Sequence, residues 1–396
     1  MMKLLSEQVF KPGAFPDYTY VSRISPELNF NYEIRLMQAL KISGCLTSIV
    51  GPSKMGKTVL CEKVIEFEKL VEVSGGDFTV RNDFWKVLSI KVGLALEGEY
   101  SETHHSINEK AQKGLSRTER YIASKDKVIE YFKEEGKVLV LDDFHYAPEE
   151  VQVYIAQQLK DAIRKEFKAI VVTLPHRADD AIRKNADLSG RLSLINIEPW
   201  TADELKQIAI KGFKELNAHI SDEIATRIAT ESLTSPQLMQ YICLSISTLI
   251  DLDNETGERI VDETKLEDSF KFTTLNFEYR DVIKTLKEGP NTRGKQRKIF
   301  DVITGEFMDV YGLIMKSLED NPPLMELSLD ELKTRIDILT ENSVEKVDKK
   351  RIKDGLNQLQ SIINEKETIF QVFEWKENML YILEPLFLFY LRWGVH

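Results

Sequence analysis

Gly51-Pro52-Ser53-Lys54-Met55-Gly56-Lys57-Thr58 spells G-x-x-x-x-G-K-T, and its flanks decide how it is read. On the near side, Cys45-Leu46-Thr47-Ser48-Ile49-Val50 is apolar enough for a short buried strand. On the far side, Val59, Leu60, Val64, Ile65 and Phe67 recur at helical spacing between Thr58 and Leu70. A glycine-rich turn between strand and helix lets backbone N–H groups close around phosphate oxygens, and the helix N-terminus adds a positive dipole end. In that setting Lys57 reaches the β- and γ-phosphates of a nucleotide, Thr58 ligates Mg²⁺, and the chain from Gly51 to Val59 forms the cradle. The alternative is a loop that has lost its ligand, and none of the eight residues favours it.

Hydrolysis needs an acid facing the metal. Val138-Leu139-Val140-Leu141 is a strand buried on both faces, and Asp142-Asp143 follows at its carboxyl end, where it projects into the crevice beside the loop. Asp142 is expected to hold Mg²⁺ through water and Asp143 to orient the attacking water. Asp143 is one methylene shorter than a glutamate, so turnover is expected to be slow. The next strand, Ala169-Ile170-Val171-Val172, ends in Thr173. Where a strand is added between loop strand and acid strand, a polar residue at its end lies near the γ-phosphate, which makes Thr173 the candidate sensor. Arg177 is either a second sensor or a surface arginine. Arg191 precedes the strand Leu194-Ile195-Asn196-Ile197 on the rim of the domain. It either reaches a nucleotide across a subunit interface, as arginine fingers do, or closes an intramolecular salt bridge.

Together, GPSKMGKT, VLVLDD, VVTLPHR and Glu198-Pro199-Trp200-Thr201-Ala202-Asp203-Glu204-Leu205 resemble the STAND ATPases and their AAA+ relatives, such as archaeal initiator-type ATPases. Tyr20-Val21-Ser22-Arg23 is similar to the F-x-G-R-E segment that wraps the adenine in that family, with Ser22 and Ile24 departing from its glycine and glutamate. Thr234-Ser235-Pro236-Gln237-Leu238 is similar to the family's GxP lid motif without its glycine. The resemblance covers roughly residues 15 to 250. It implies an α/β fold, a P-loop NTPase parallel sheet of the AAA+-like kind followed by an all-α lid. It also implies ATP and Mg²⁺ as ligands, with Tyr20, Val21 and Pro236 contacting the nucleotide.

The last hundred residues read as helix, helix and a hairpin turned at Lys376-Glu377-Asn378, an order that resembles a winged helix. The ending Glu384-Pro385-Leu386-Phe387-Leu388-Phe389-Tyr390-Leu391-Arg392-Trp393 is similar to the final helix of archaeal-type ATPases. Lys349, Lys350, Arg351 and Lys353 open the second of these helices beside Asp348 and Asp354, so it is either a DNA contact or a solvated face. Lys284, Lys287, Arg293, Lys295, Arg297 and Lys298 form a basic stretch before it, an interdomain hinge or an anion-binding segment. The expected division is an adenine-wrapping segment at 1–44, the NTPase domain at 45–198, the lid at 199–275, a basic linker at 276–299 and the winged helix at 300–396. Within the NTPase domain, the polar stretch from Glu97 to Thr118 is expected to be a loop or short helices.

With 396 residues, 42% of them hydrophobic, the chain can bury two or three cores, and a net charge of −11 excludes coating nucleic acid by bulk charge. Cys45, Cys61 and Cys243 lack metal-ligand spacing, and no apolar run is long enough to cross a bilayer, which together point to a cytoplasmic protein. The family likeness then implies a slowly hydrolysing switch that responds to nucleotide, forms a homo-oligomer and acts through a separate effector protein in prokaryotic defence or signalling. From a different class, an AAA+-like ATPase would regulate or load factors on DNA through the winged helix.

Overall fold

The computed structural model describes residues 3–27, 29–78, 83–105, 114–174, 190–254, 257, 259–292, 294, 296–365 and 371–395. The chain divides into two compact units, one formed by 22–52 and 56–198, the other by 1–21, 53–55 and 199–396.

The first unit is built on a parallel sheet. β1 (Leu46–Val50), β2 (Leu70–Ser74), β5 (Val138–Asp142), β6 (Lys168–Thr173) and β7 (Leu192–Asn196) lie in the order β2-β5-β6-β1-β7. β1 and the apolar stretches of β5 and β6 are buried, as strands covered on both faces by helices must be. Helices Phe84–Lys91, Lys125–Glu134 and Glu149–Ile163 supply Phe84, Trp85, Phe132, Ile155 and Leu159 to a core shared with Leu139, Leu141 and Val171. β6 stands between the loop strand β1 and the acid strand β5. This is the AAA+-like arrangement of the P-loop NTPase α/β fold.

The stretch expected as a loop or short helices is instead a two-stranded ribbon, β3 (Glu97–His105) against β4 (Gly114–Ile122), paired antiparallel from Glu97↔Ile122 to His105↔Gly114. Its alternation is carried by charged and hydroxyl residues, so hydrophobic periodicity gave no strand signal.

The second unit is mainly helical. Helices Ala202–Glu215, Asp222–Glu231, Pro236–Leu249 and Leu266–Thr274 are followed by Arg280–Glu288, inside the stretch read as a basic linker. That helix buries Val282, Ile283 and Leu286, turns Arg280 and Lys284 outward, and half-buries Lys287. Beyond it, helices Val310–Leu318, Leu329–Leu339 and Lys349–Glu365 accompany a small antiparallel sheet, β8 (Glu326–Ser328), β10 (Met379–Ile382) and β9 (Phe373–Lys376). The β9–β10 turn uses left-handed Glu377 and Asn378, as a two-residue hairpin requires. One apolar core runs from Val9 and Phe10 through Leu238 and Ile242 to Phe387 and Leu391 of the last helix, Pro385–Trp393. Gly212 makes room for the N-terminal segment: a Cβ there would stand 2.2 Å from the ring of Phe10. Among the described residues no helix is long and apolar enough to cross a membrane.

Candidate functional site

β1 delivers Gly51 into a narrow space. A Cβ at this position would lie 2.9 Å from the carbonyl oxygen of Ile197 and 3.0 Å from its Cβ, so close backbone approach selects glycine. The Gly51 N–H donates to the carbonyl of Thr173 at 3.3 Å, tying the loop to the end of β6. Lys54 and Gly56 both take left-handed conformations, φ 62° and 84°, and Gly56 turns the chain into the helix Lys57–Val64. The buried Lys57 ammonium donates to the carbonyls of Gly51 at 2.8 Å and Pro52 at 2.6 Å. The indole of Trp200 donates to the Met55 carbonyl at 3.0 Å.

Opposite the loop, the Thr58 hydroxyl donates to Asp142 Oδ2 at 2.5 Å, and Asp142 Oδ1 accepts the Asp143 N–H at 2.8 Å. Thr58 and Asp142 thus converge as two hard oxygen donors, the donor chemistry that Mg²⁺ takes from a P-loop fold. Asp143 is left-handed, φ 49°, and its carbonyl would stand 2.3 Å from a Cβ on Gly75. Gly75, just past β2, is therefore what admits the strained acid turn, and reading the sequence did not single it out. Its signal was the Gly75-Gly76 pair directly after a strand.

Thr173 is level with the last residue of β1 in the register Val50↔Thr173. It is 4% exposed, and its Oγ1 is buried with no hydrogen-bond partner among the described residues. Burial, then the Asp142 charge, pushes the Glu72 carboxyl above its ordinary range, and burial with the Glu72 charge does the same for Glu62. Burial likewise raises the Cys61 thiol, leaving it inert.

Other expected residues are not gathered here. The register Leu46↔Leu192 sets Arg191 at the strand-start edge of the sheet, with its carbonyl accepting the Leu46 N–H at 2.8 Å. Five strand residues separate that edge from Gly51, about 16 Å at a strand's rise, so Arg191 is out of reach of its own chain's loop. It has no ion-pair partner among the described residues. Arg177 lies outside the described residues. Tyr20, Val21 and Pro236 belong to the other unit. There the Tyr20 ring stacks on Phe15 at 5.8 Å, its carbonyl accepts from Lys211 at 2.8 Å, and Val21 packs on the core. Pro236 opens its helix behind Ser235, whose hydroxyl accepts the Leu238 N–H at 3.2 Å. Leu233 and Thr234 before it are both left-handed, a costly conformation for a β-branched side chain.

No family model matches the chain, and no curated protein matches it. Among solved structures it is similar to Cdc6p from Pyrobaculum aerophilum, at 14% identity and TM-score 0.44 over 97% of this chain and 96% of that one. It is also similar to a Walker-type ATPase of Pyrococcus abyssi, at 12% identity and TM-score 0.49 over 91% and 94%. A third is the RuvB Holliday junction branch migration motor of Thermotoga maritima, at 13% identity and TM-score 0.42 over 91% and 92%. The fold is read from the strand order and the loop rather than from these distant likenesses.

Proposed function

We propose that the protein binds ATP with Mg²⁺ at the Gly51–Val59 loop, hydrolyses it slowly, and works as a STAND-type switch. The observation that carries this reading is the meeting of three strand ends: the loop after β1, the Thr58–Asp142 pair at 2.5 Å at the end of β5, and the Thr173 hydroxyl closing β6 with no partner among the described residues. Lys57 would exchange its loop carbonyls for β- and γ-phosphate oxygens. Thr58 and Asp142 would hold Mg²⁺, which supplies charge neutralisation at the phosphates. Asp143 would orient the attacking water, and its short reach limits the rate. Thr173 would donate its unused hydroxyl to the γ-phosphate, a contact ADP lacks. Such a difference in contacts is what lets ATP and ADP favour different arrangements of the lid and a winged-helix C-terminal module. Arg191, too far to act in its own chain, would serve the site of a second copy, and a separate effector protein would carry the output in prokaryotic defence or signalling.

The test is the mass in solution without nucleotide, with ADP and with a slowly hydrolysed ATP analogue, each repeated with duplex DNA. A defined oligomer that grows only with the ATP analogue, and without DNA, supports the switch. A second reading, a DNA-regulating ATPase, is favoured by a groove of about 490 Å³ lined by Arg297, Lys298, Lys350 and Arg351, although Asp309, Asp348 and Asp354 share it. A constant monomer with salt-dependent DNA binding would favour that reading.

A further inference from the structure

We infer that Trp200 is a positioning residue for the phosphate loop, which it holds in binding shape by drawing the Met55 carbonyl toward its indole N–H. The inference rests on the phosphate-binding reading above and extends it to a residue outside the loop.

In a planar trans peptide the C=O and N–H point in opposite directions. Fixing the Met55 carbonyl on Trp200 at 3.0 Å therefore aims the N–H of the same peptide, that of Gly56, the other way. The left-handed residues Lys54 and Gly56 flank this peptide, and successive N–H groups in such alternating backbone form an anion-binding concavity. Lys57 does the same work at the loop's other end: by taking the Pro52 carbonyl at 2.6 Å it orients the Ser53 N–H. The cradle is thus held from two sides, by its own lysine and by a tryptophan that lies 145 residues further along the chain.

The indole is itself well anchored. Trp200 packs against the core of its unit, and Thr201 immediately after it caps the helix Ala202–Glu215 in a capping box, with Glu204 accepting the Thr201 N–H at 2.9 Å. Trp200 would thereby pre-form the loop.

Two measurements on the full chain test this. In nucleotide-free protein the Trp200 indole N–H should exchange with solvent slowly, as should Trp85, bonded to Gln158 at 2.9 Å, and Trp393, bonded to Glu231 at 2.8 Å. Trp375, whose indole has no partner among the described residues, supplies the fast reference. Exchange of Trp200 as fast as that of Trp375 overturns the proposal. Second, Trp200→Phe keeps the ring and removes the donor. It should weaken ATP and ADP binding by about 5- to 10-fold, the worth of one net hydrogen bond, with the loss falling on KM more than on kcat. Unchanged affinity for both nucleotides overturns it, as does an equal loss in stability and in competent sites at wild-type KM. Lys57→Ala separates the two readings: if wild type and Lys57→Ala bind nucleotide alike, the nucleotide site is wrong, while the exchange measurement still judges the Trp200–Met55 contact.

Discussion

Arg392 and Glu231 make a buried ion pair in the helical unit, with side chains 5% and 9% exposed, and removing its two halves should have unequal effects. The Glu231 carboxylate receives three donors: Arg392 Nε at 3.2 Å, Arg392 Nη2 at 2.9 Å and Trp393 Nε1 at 2.8 Å. Arg392→Met strips away two of them and leaves a buried carboxylate on one indole. Breaking a buried pair in this way costs about 3–5 kcal/mol, roughly a thousandfold in the folding equilibrium. Glu231→Gln leaves Arg392 donating to the Asp320 carbonyl at 3.0 Å, to Asn321 Oδ1 at 2.8 Å and to the Glu319 carbonyl. Its cost should be about 1–3 kcal/mol. The double change Arg392→Met with Glu231→Met, which leaves no buried charge, should fall short of the sum of its single changes by about 2 kcal/mol. Urea unfolding followed by far-UV circular dichroism, at a slope common to the set, reads the wild type, Arg392→Met, Glu231→Gln, Glu231→Met and the double variant. A Glu231→Gln variant as unstable as Arg392→Met, or strict additivity in the cycle, would refute the reasoning.

Three further outcomes are expected. Thr173→Val removes a buried hydroxyl that has no partner among the described residues, so it should raise the unfolding free energy by up to about 1 kcal/mol while lowering ATP turnover; a loss of stability would mean the hydroxyl is bonded after all. Burial holds the Glu384 carboxyl above its ordinary 4.5, so the native state keeps a proton that the unfolded chain releases. Its contribution is therefore present below the ordinary carboxylate range and lost as pH rises through the raised value, and Glu384→Gln should gain stability at pH 8 relative to pH 5. Arg191→Ala and Lys57→Ala, each inactive alone, should recover hydrolysis when mixed, because one copy then offers an intact loop and the other an intact arginine; a silent mixture would remove Arg191 from the site of a neighbouring copy.

The parallel sheet was legible because its strands are continuous apolar runs, VLVL and AIVV, that end in the polar residues Asp142 and Thr173. Both signals are local. What escaped was not. The β3–β4 ribbon depends on cross-strand pairing between polar residues, which leaves no apolar rhythm to read. The helix Arg280–Glu288 was masked by Lys284 and Lys287, although Val282, Ile283 and Leu286 carry its buried face. Gly75 matters only because the Asp143 carbonyl crosses it, and Trp200 only because Met55 lies within its reach, and neither contact is written in a neighbouring residue. Arg191 was read as a residue of the rim, and only the register with Leu46 shows how far it stands from Gly51.

The division of the chain also has a consequence for synthesis on the ribosome. Residues 22–198, loop tip excepted, are contiguous and can close their sheet as soon as they emerge, since domains generally fold as units from the N-terminal side. The first 21 residues cannot. Phe10 finds its seat only when Gly212 appears, and the Thr19 hydroxyl finds the Gln240 amide, 2.6 Å away in the finished protein, later still. The opening segment thus emerges before residues 22–198 and docks after them, carrying an exposed aromatic throughout the interval. Substitutions that quicken or delay translation between 22 and 240 should bear on the yield of native protein without touching a single contact in it.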